Sequence, residues 1–198
     1  YADVKSIKAV GGVALQYLQG AEQKELSITA ETADIDLTNG TAKLTSATGA
    51  TKVSFDSYNL TAETTNGDSL LELSPSGDLT MKGDKLTATL PTHEGDAVIN
   101  CTESLTLNRE TGRLELGAGA HMEAPQGRLT ANGPLYLTLK HGDPQKDKPL
   151  LPDFPHLVYN FDGLQQADTE QGGTVQTPQA AMRCTGKIHV AMSPATGK

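Results

Sequence analysis

The sequence predicts an all-β chain built as a ladder of antiparallel hairpins, and three observations predict it. Apolar and polar residues alternate over most of the 198 residues, the period-two signature of strands with one dry and one wet face. A short phrase returns inside these alternations: Ile28-Thr29-Ala30, Leu60-Thr61-Ala62, Leu86-Thr87-Ala88 and Leu129-Thr130-Ala131. Between them a polar residue leads into glycine directly before a new alternation, at Asn39-Gly40, Asn66-Gly67, Ser76-Gly77, Glu94-Gly95, Thr111-Gly112 and Gln126-Gly127. Such steps are read as hairpin turns.

The first unit runs from Ile7 to about Leu44. Val13 and Leu15 follow the Gly11-Gly12 pair; Leu26, Ile28 and Ala30 share a face, then Ala33, Ile35 and Leu37, then Ala42 and Leu44. Residues 4 to 18 could pass for a helix, but each glycine of the pair costs about 1 kcal/mol in a helix interior; only a short helical turn near the start stays open. From Val53 to Leu139 the alternation is cleanest. One face is held by Val53 and Phe55, Leu60 and Ala62, Leu71 and Leu73, Leu79 and Met81, and Leu86, Ala88 and Leu90. It continues through Ile99 and Cys101, Leu105 and Leu107, Leu114 and Leu116, Ala120, Met122 and Ala124, Leu129 and Ala131, and Leu135, Leu137 and Leu139.

The pattern breaks at residues 140 to 156, where four prolines and several charges read as a proline-rich loop or insertion. A weaker strand at Leu157 to Phe161 follows, then a polar linker to Gly173. The last unit places Ala180, Met182 and Cys184 on one strand and Ile188, Val190 and Met192 on the next. Residues 193 to 198 read as a frayed tail, and the whole is expected to form a single domain.

Composition removes several classes of function. A formal net charge of -8 without clustered Lys or Arg argues against nucleic acid as a partner. Aromatics at 4% weaken base-stacking and sugar-stacking readings. No run of about 18 apolar residues exists to form a membrane-spanning helix. The start at Tyr1 rather than Met suggests a leader or anchor removed from an exported protein.

Candidate chemistry is sparse. His121 and Glu123 point outward together, a solvated pair rather than a metal site, which would want a third ligand. Asp34 and Asp36 flank Ile35 and should face water. His141 and Asp143 sit in the proline-rich segment, where a polar turn is the default and a hydrolase the remote alternative. Neither a nucleophile elbow nor a phosphate loop or dinucleotide fingerprint is present, so no enzyme activity, metal or cofactor is expected. Cys101 and Cys184 both fall on the apolar face, as two buried thiols or as a disulfide across the fold.

The phrases GGVALQ at 11 to 16, ELSITAETADIDLTNGTAKL at 25 to 44 and ESLTLNRETGRLELGAGAHMEAPQGRLTANGPLYLTL at 103 to 139 resemble the OstA-like family of periplasmic lipopolysaccharide-transport proteins, of the LptA and LptC type. The likeness covers roughly residues 7 to 139 and 173 to 192. It implies an open antiparallel β-jellyroll, two facing sheets folded like a taco, with lipid acyl chains between them. It also implies a periplasmic or cell-envelope location and similar domains paired through their strand edges, and no catalytic residues. On the alternation, the lipid-facing set is Leu60, Leu73, Leu79, Met81, Leu86, Leu105, Leu107, Leu114, Leu116, Met122, Leu129, Leu135 and Leu137. Two alternatives stand beside it. The sheets could close on each other as an ordinary sandwich, or the chain could be a ligand-free structural repeat or scaffold of the envelope. The unequal spacing of the Thr-Ala phrases, 32, 26 and 43 residues, argues against a strict solenoid.

Overall fold

The computed structural model describes residues 4–18, 24–74, 78–92, 94–140, 143–147, 156–160, 164–178 and 180–191. Six long strands come first: β1 (Ser6–Leu18), β2 (Lys24–Asp36), β3 (Thr41–Phe55), β4 (Leu60–Leu73), β5 (Leu79–Thr92) and β6 (Gly95–Asn108), with a 3-10 turn at Asp56–Tyr58 between β3 and β4. Ten short strands follow: β7 (Arg113–Leu116), β8 (His121–Ala124), β9 (Gly127–Ala131), β10 (Leu135–Leu139), β11 (Asp143–Asp147), β12 (His156–Asn160), β13 (Leu164–Thr169), β14 (Gly173–Gln176), β15 (Ala181–Cys184) and β16 (Ile188–Ala191). The all-β expectation holds: each long strand pairs antiparallel with its sequence neighbour from β1 to β6.

Beyond β6 the sheet divides. The C-terminal half of β6 pairs with β7, Leu105 opposite Leu116 and Leu107 opposite Leu114, while its N-terminal half pairs with β8, Ile99 opposite Met122. One branch continues β7-β10-β13-β16 and the other β8-β9-β14-β15. Two short strands joined by a break thus replace each long one.

A line of breaks crosses the long strands at mid-length. The register slips between Val10 and Val13, Thr29 and Thr32, Ser46 and Ala50, Thr64 and Leu70, and Gly83 and Leu86. Since a one-residue slip turns every later side chain over, the buried set changes parity across the break in β2 to β5, while in β1 and β6 it keeps its parity. Leu60, Ala62 and Thr64 are buried before the break in β4, and Ser69 and Leu71 after it. The same line passes Glu103, whose φ of 71° is rare for a residue with a side chain. It then reaches Gly117, where a Cβ would run into the Thr102 carbonyl.

These breaks correct part of the turn assignment. Asn39-Gly40, Glu94-Gly95, Thr111-Gly112 and Gln126-Gly127 do fall at strand-to-strand turns, but Asn66-Gly67 lies inside β4. Leu60 to Ala62 and Leu71 to Leu73 are therefore two ends of one strand, and the same is true of Leu79 to Leu90 in β5 and Ile99 to Leu107 in β6. Gly11 and Gly12, both at φ above 90°, mark the break in β1 and not a helical turn. Ser76-Gly77 and the tail at 193–198 lie outside the described residues.

The apolar residues form one cluster running from Leu26 to Ile188. No α-helix among the described residues covers it, so the sheet buries its own dry face. Among the described residues, β11, inside the proline-rich segment expected to be a loop, pairs only with β12, at its end, with Pro144 opposite Tyr159. A separate two-stranded ladder leaves every residue on an edge, where proline is tolerated.

Candidate apolar cleft

The inner face is not equally filled along the sheet. Towards the β7-β10 side, Leu105, Leu107, Leu114, Leu116, Leu135 and Leu137 have no exposed surface at all. They stack in cross-strand rows, Leu79-Leu107-Leu114-Leu137 being one. At the β1 end no further strand among the described residues continues the sheet, and a cleft of about 380 Å³ opens there.

The cleft is lined from both sides of the break. Leu15, Leu26 and Ile28 come from one half of β1 and β2; Ile7, Ala33, Ile35, Ala42, Leu44, Leu71, Leu73 and Leu79 come from the other half of β1 to β5, and Val13 borders the break itself. Small side chains at Ala33 and Ala42 leave volume where the other end of the sheet has leucine. Leu37, 52% exposed, and Ile7, 44% exposed, form the rim. Asp36 is the one charged lining residue among those described. Its carboxylate accepts from the Thr38 and Asn39 backbone N–H groups at 2.9 and 3.1 Å and from Asn39 Nδ2 at 2.7 Å. The side-chain bond from Asn39, then the backbone bonds, hold its pKa below the usual aspartate value. It is a turn cap, with both oxygens already engaged.

Beyond the cleft the two sides are tied together. Tyr58, in the turn after β3, donates its hydroxyl to the Arg109 carbonyl in the β6-β7 turn at 2.7 Å, and the Tyr58 ring packs where a Cβ on Gly112 would sit.

Of the residues expected to face lipid, only Leu73 and Leu79 line this cleft. Leu60, Met81, Leu86, Leu105, Leu107, Leu114, Leu116, Met122, Leu129, Leu135 and Leu137 are inward and buried, but in the filled part of the core. The cleft residues from Ile7 to Leu44 alternate just as visibly in sequence. They stand apart only because β1 is a terminal strand of the sheet.

Of the two readings for the cysteines, the structure has Cys101 and Cys184 as free thiols, the first buried and the second half-buried. Cys101 on β6 and Cys184 on β15 occupy the same level four ladder steps apart through β8, β9 and β14, each step about 4.8 Å, beyond what a disulfide spans. Burial pushes the Cys101 thiol up to about 11.

Outside, His121 Nε2 lies 3.1 Å from Glu123 Oε1, and Arg128 Nε reaches the same oxygen at 3.1 Å. The His121 bond, then the Arg128 charge, lower the Glu123 pKa. Asp34 pairs with Lys8 at 3.0 Å on the exposed face. A polar depression over β7, β10, β13 and β16 holds Arg113 above the Tyr136 ring, Lys187 paired with Glu170 and His189 paired with Asp168, so most of its charges satisfy one another. Among the described residues no three His, Cys, Asp or Glu side chains gather where a metal could bind. His141 lies outside the described residues. Comparison of the chain with protein families, curated proteins and solved structures gives no match in any of the three.

Proposed function

We propose that this is a non-enzymatic cell-envelope protein, an open β-jellyroll that holds acyl chains of lipopolysaccharide or a related lipid on the way to the outer membrane. The observation that carries the reading is the aliphatic cleft lined from both sides of the break, in which Asp36 and Thr41 are the only polar side chains among the described lining residues. The mid-strand breaks support the folded, taco-like arrangement of the sheet, and the OstA-like phrases support the envelope location. On the order of ten buried methylenes at roughly 0.8 kcal/mol each would gain around 8 kcal/mol gross, before association and ordering costs take much of it.

The edge of β1, unpaired among the described residues and carrying exposed Ile7 and Val10, favours pairing with the edge of a similar domain. That edge and the filled β7-β10 side are also what the alternative, a ligand-free scaffold module, would use. Titration with a fluorescent acyl-chain probe separates the two. Saturable binding displaced by lipopolysaccharide, and lost in Ile28→Asp or Ile35→Asp, is the expected result. A folded protein that takes up no probe is a scaffold.

A further inference from the structure

We propose that the cleft accepts one aliphatic chain from its β1 end and stops it there, so that the protein is a single-chain holder rather than a conduit. This rests on the acyl-chain reading above. The lining is almost wholly aliphatic, and its one charged residue among those described, Asp36, is engaged by Thr38 and Asn39 as a turn cap. A cleft of about 380 Å³, at the roughly 30 Å³ of liquid volume that a water-sized group occupies, holds on the order of ten carbons. A lipid with several acyl chains could place only one of them.

The far end is shut by packing. Leu79 is the last cleft residue on its row, and its successive cross-strand neighbours Leu107, Leu114 and Leu137 are fully buried. A chain advancing past Leu79 would have to break close packing that already fills the space. In a through-channel this inner face would stay hollow from β5 to β10.

Calorimetric titration with a homologous series of n-alkyl glucosides, kept below their micelle concentrations, tests the limit. The expected result is one ligand per protein, with affinity rising three- to four-fold per added methylene and flattening beyond a chain of on the order of ten carbons. Affinity that keeps rising through the longest chains, or more than one ligand per protein, would overturn the single-chain limit and leave the acyl-binding reading standing. No saturable binding by any member would remove both. The series needs no variant, and Ala42→Phe supplies a second measurement, since the ring takes up cleft volume. At least tenfold weaker binding is expected, whereas unchanged affinity in a variant with the wild-type circular dichroism spectrum would place the chain elsewhere and overturn the proposal.

Discussion

Truncating the same side chain at two inward positions separates a filled core from an open cleft. Leu107 has no exposed surface and packs between Leu79 and Leu114, whereas Leu73 is half-buried and lines the cleft. Leu107→Ala removes three carbons from full burial, about 2.4 kcal/mol at 0.8 kcal/mol each. The cavity left in a packed neighbourhood adds to this, for a total of about 3–4 kcal/mol. At Leu73 the transfer loss is about half as large and the space already communicates with solvent, so Leu73→Ala should cost about 1 kcal/mol. Urea unfolding followed by circular dichroism reads both as shifts in midpoint at constant slope. Equal costs at the two sites would refute the reasoning, since the β7-β10 side would then be as hollow as the cleft.

Two other outcomes follow from the geometry. Glu31 accepts from Thr48 Oγ1 at 2.6 Å and from the Ala47 and Thr48 N–H groups at 2.9 and 3.1 Å, bracing the break in β3. The Thr48 hydroxyl, then the two backbone donors, lower its pKa. The unfolded chain therefore binds the proton more tightly, and this contribution to stability is complete above the ordinary glutamate pKa and lost as pH falls through the lower folded value. Glu31→Gln should flatten that part of the acid unfolding curve, and an unchanged curve would count against the brace. With thiols, native protein at pH 8 should label at Cys184 well before Cys101, whose thiol is buried and raised to about 11. Unfolded, unreduced protein should take two labels, and a chain that takes none carries the disulfide.

Strand identity and facing were legible over most of 53–139 because alternation is a local property, but not at β13, which reads as a polar linker and buries Ala167 and Thr169, nor at Met182, which reads as inward and is 51% exposed. Leu105, Leu107, Leu114 and Leu116 can be assigned to the dry face from their own neighbours, and all four are buried. The breaks were not legible, because Asn66-Gly67 in mid-strand and Asn39-Gly40 at a hairpin carry the same turn chemistry. Only the pairing of both ends of β4 with the same two strands distinguishes them. The candidate site was half legible for the same reason: Leu73 and Leu79 were singled out, but Ile28, Ile35 and Ala42 were read as ordinary strand faces.

The all-β ladder, the facing of its clean alternations over 53–139 and the lack of clustered basic residues can all be read from the residues in order. Tertiary structure alone decided where the dry face is filled and where it is hollow. Period-two patterning says which way a side chain points, not what stands opposite it. That depends on bends at mid-strand, on Tyr58 reaching Arg109 across 51 positions of chain, and on β1 having a strand on only one side. The two cysteines carry the same lesson. Both point inward on the pattern, and the four ladder steps between them, set by the order of β8, β9, β14 and β15, keep them apart.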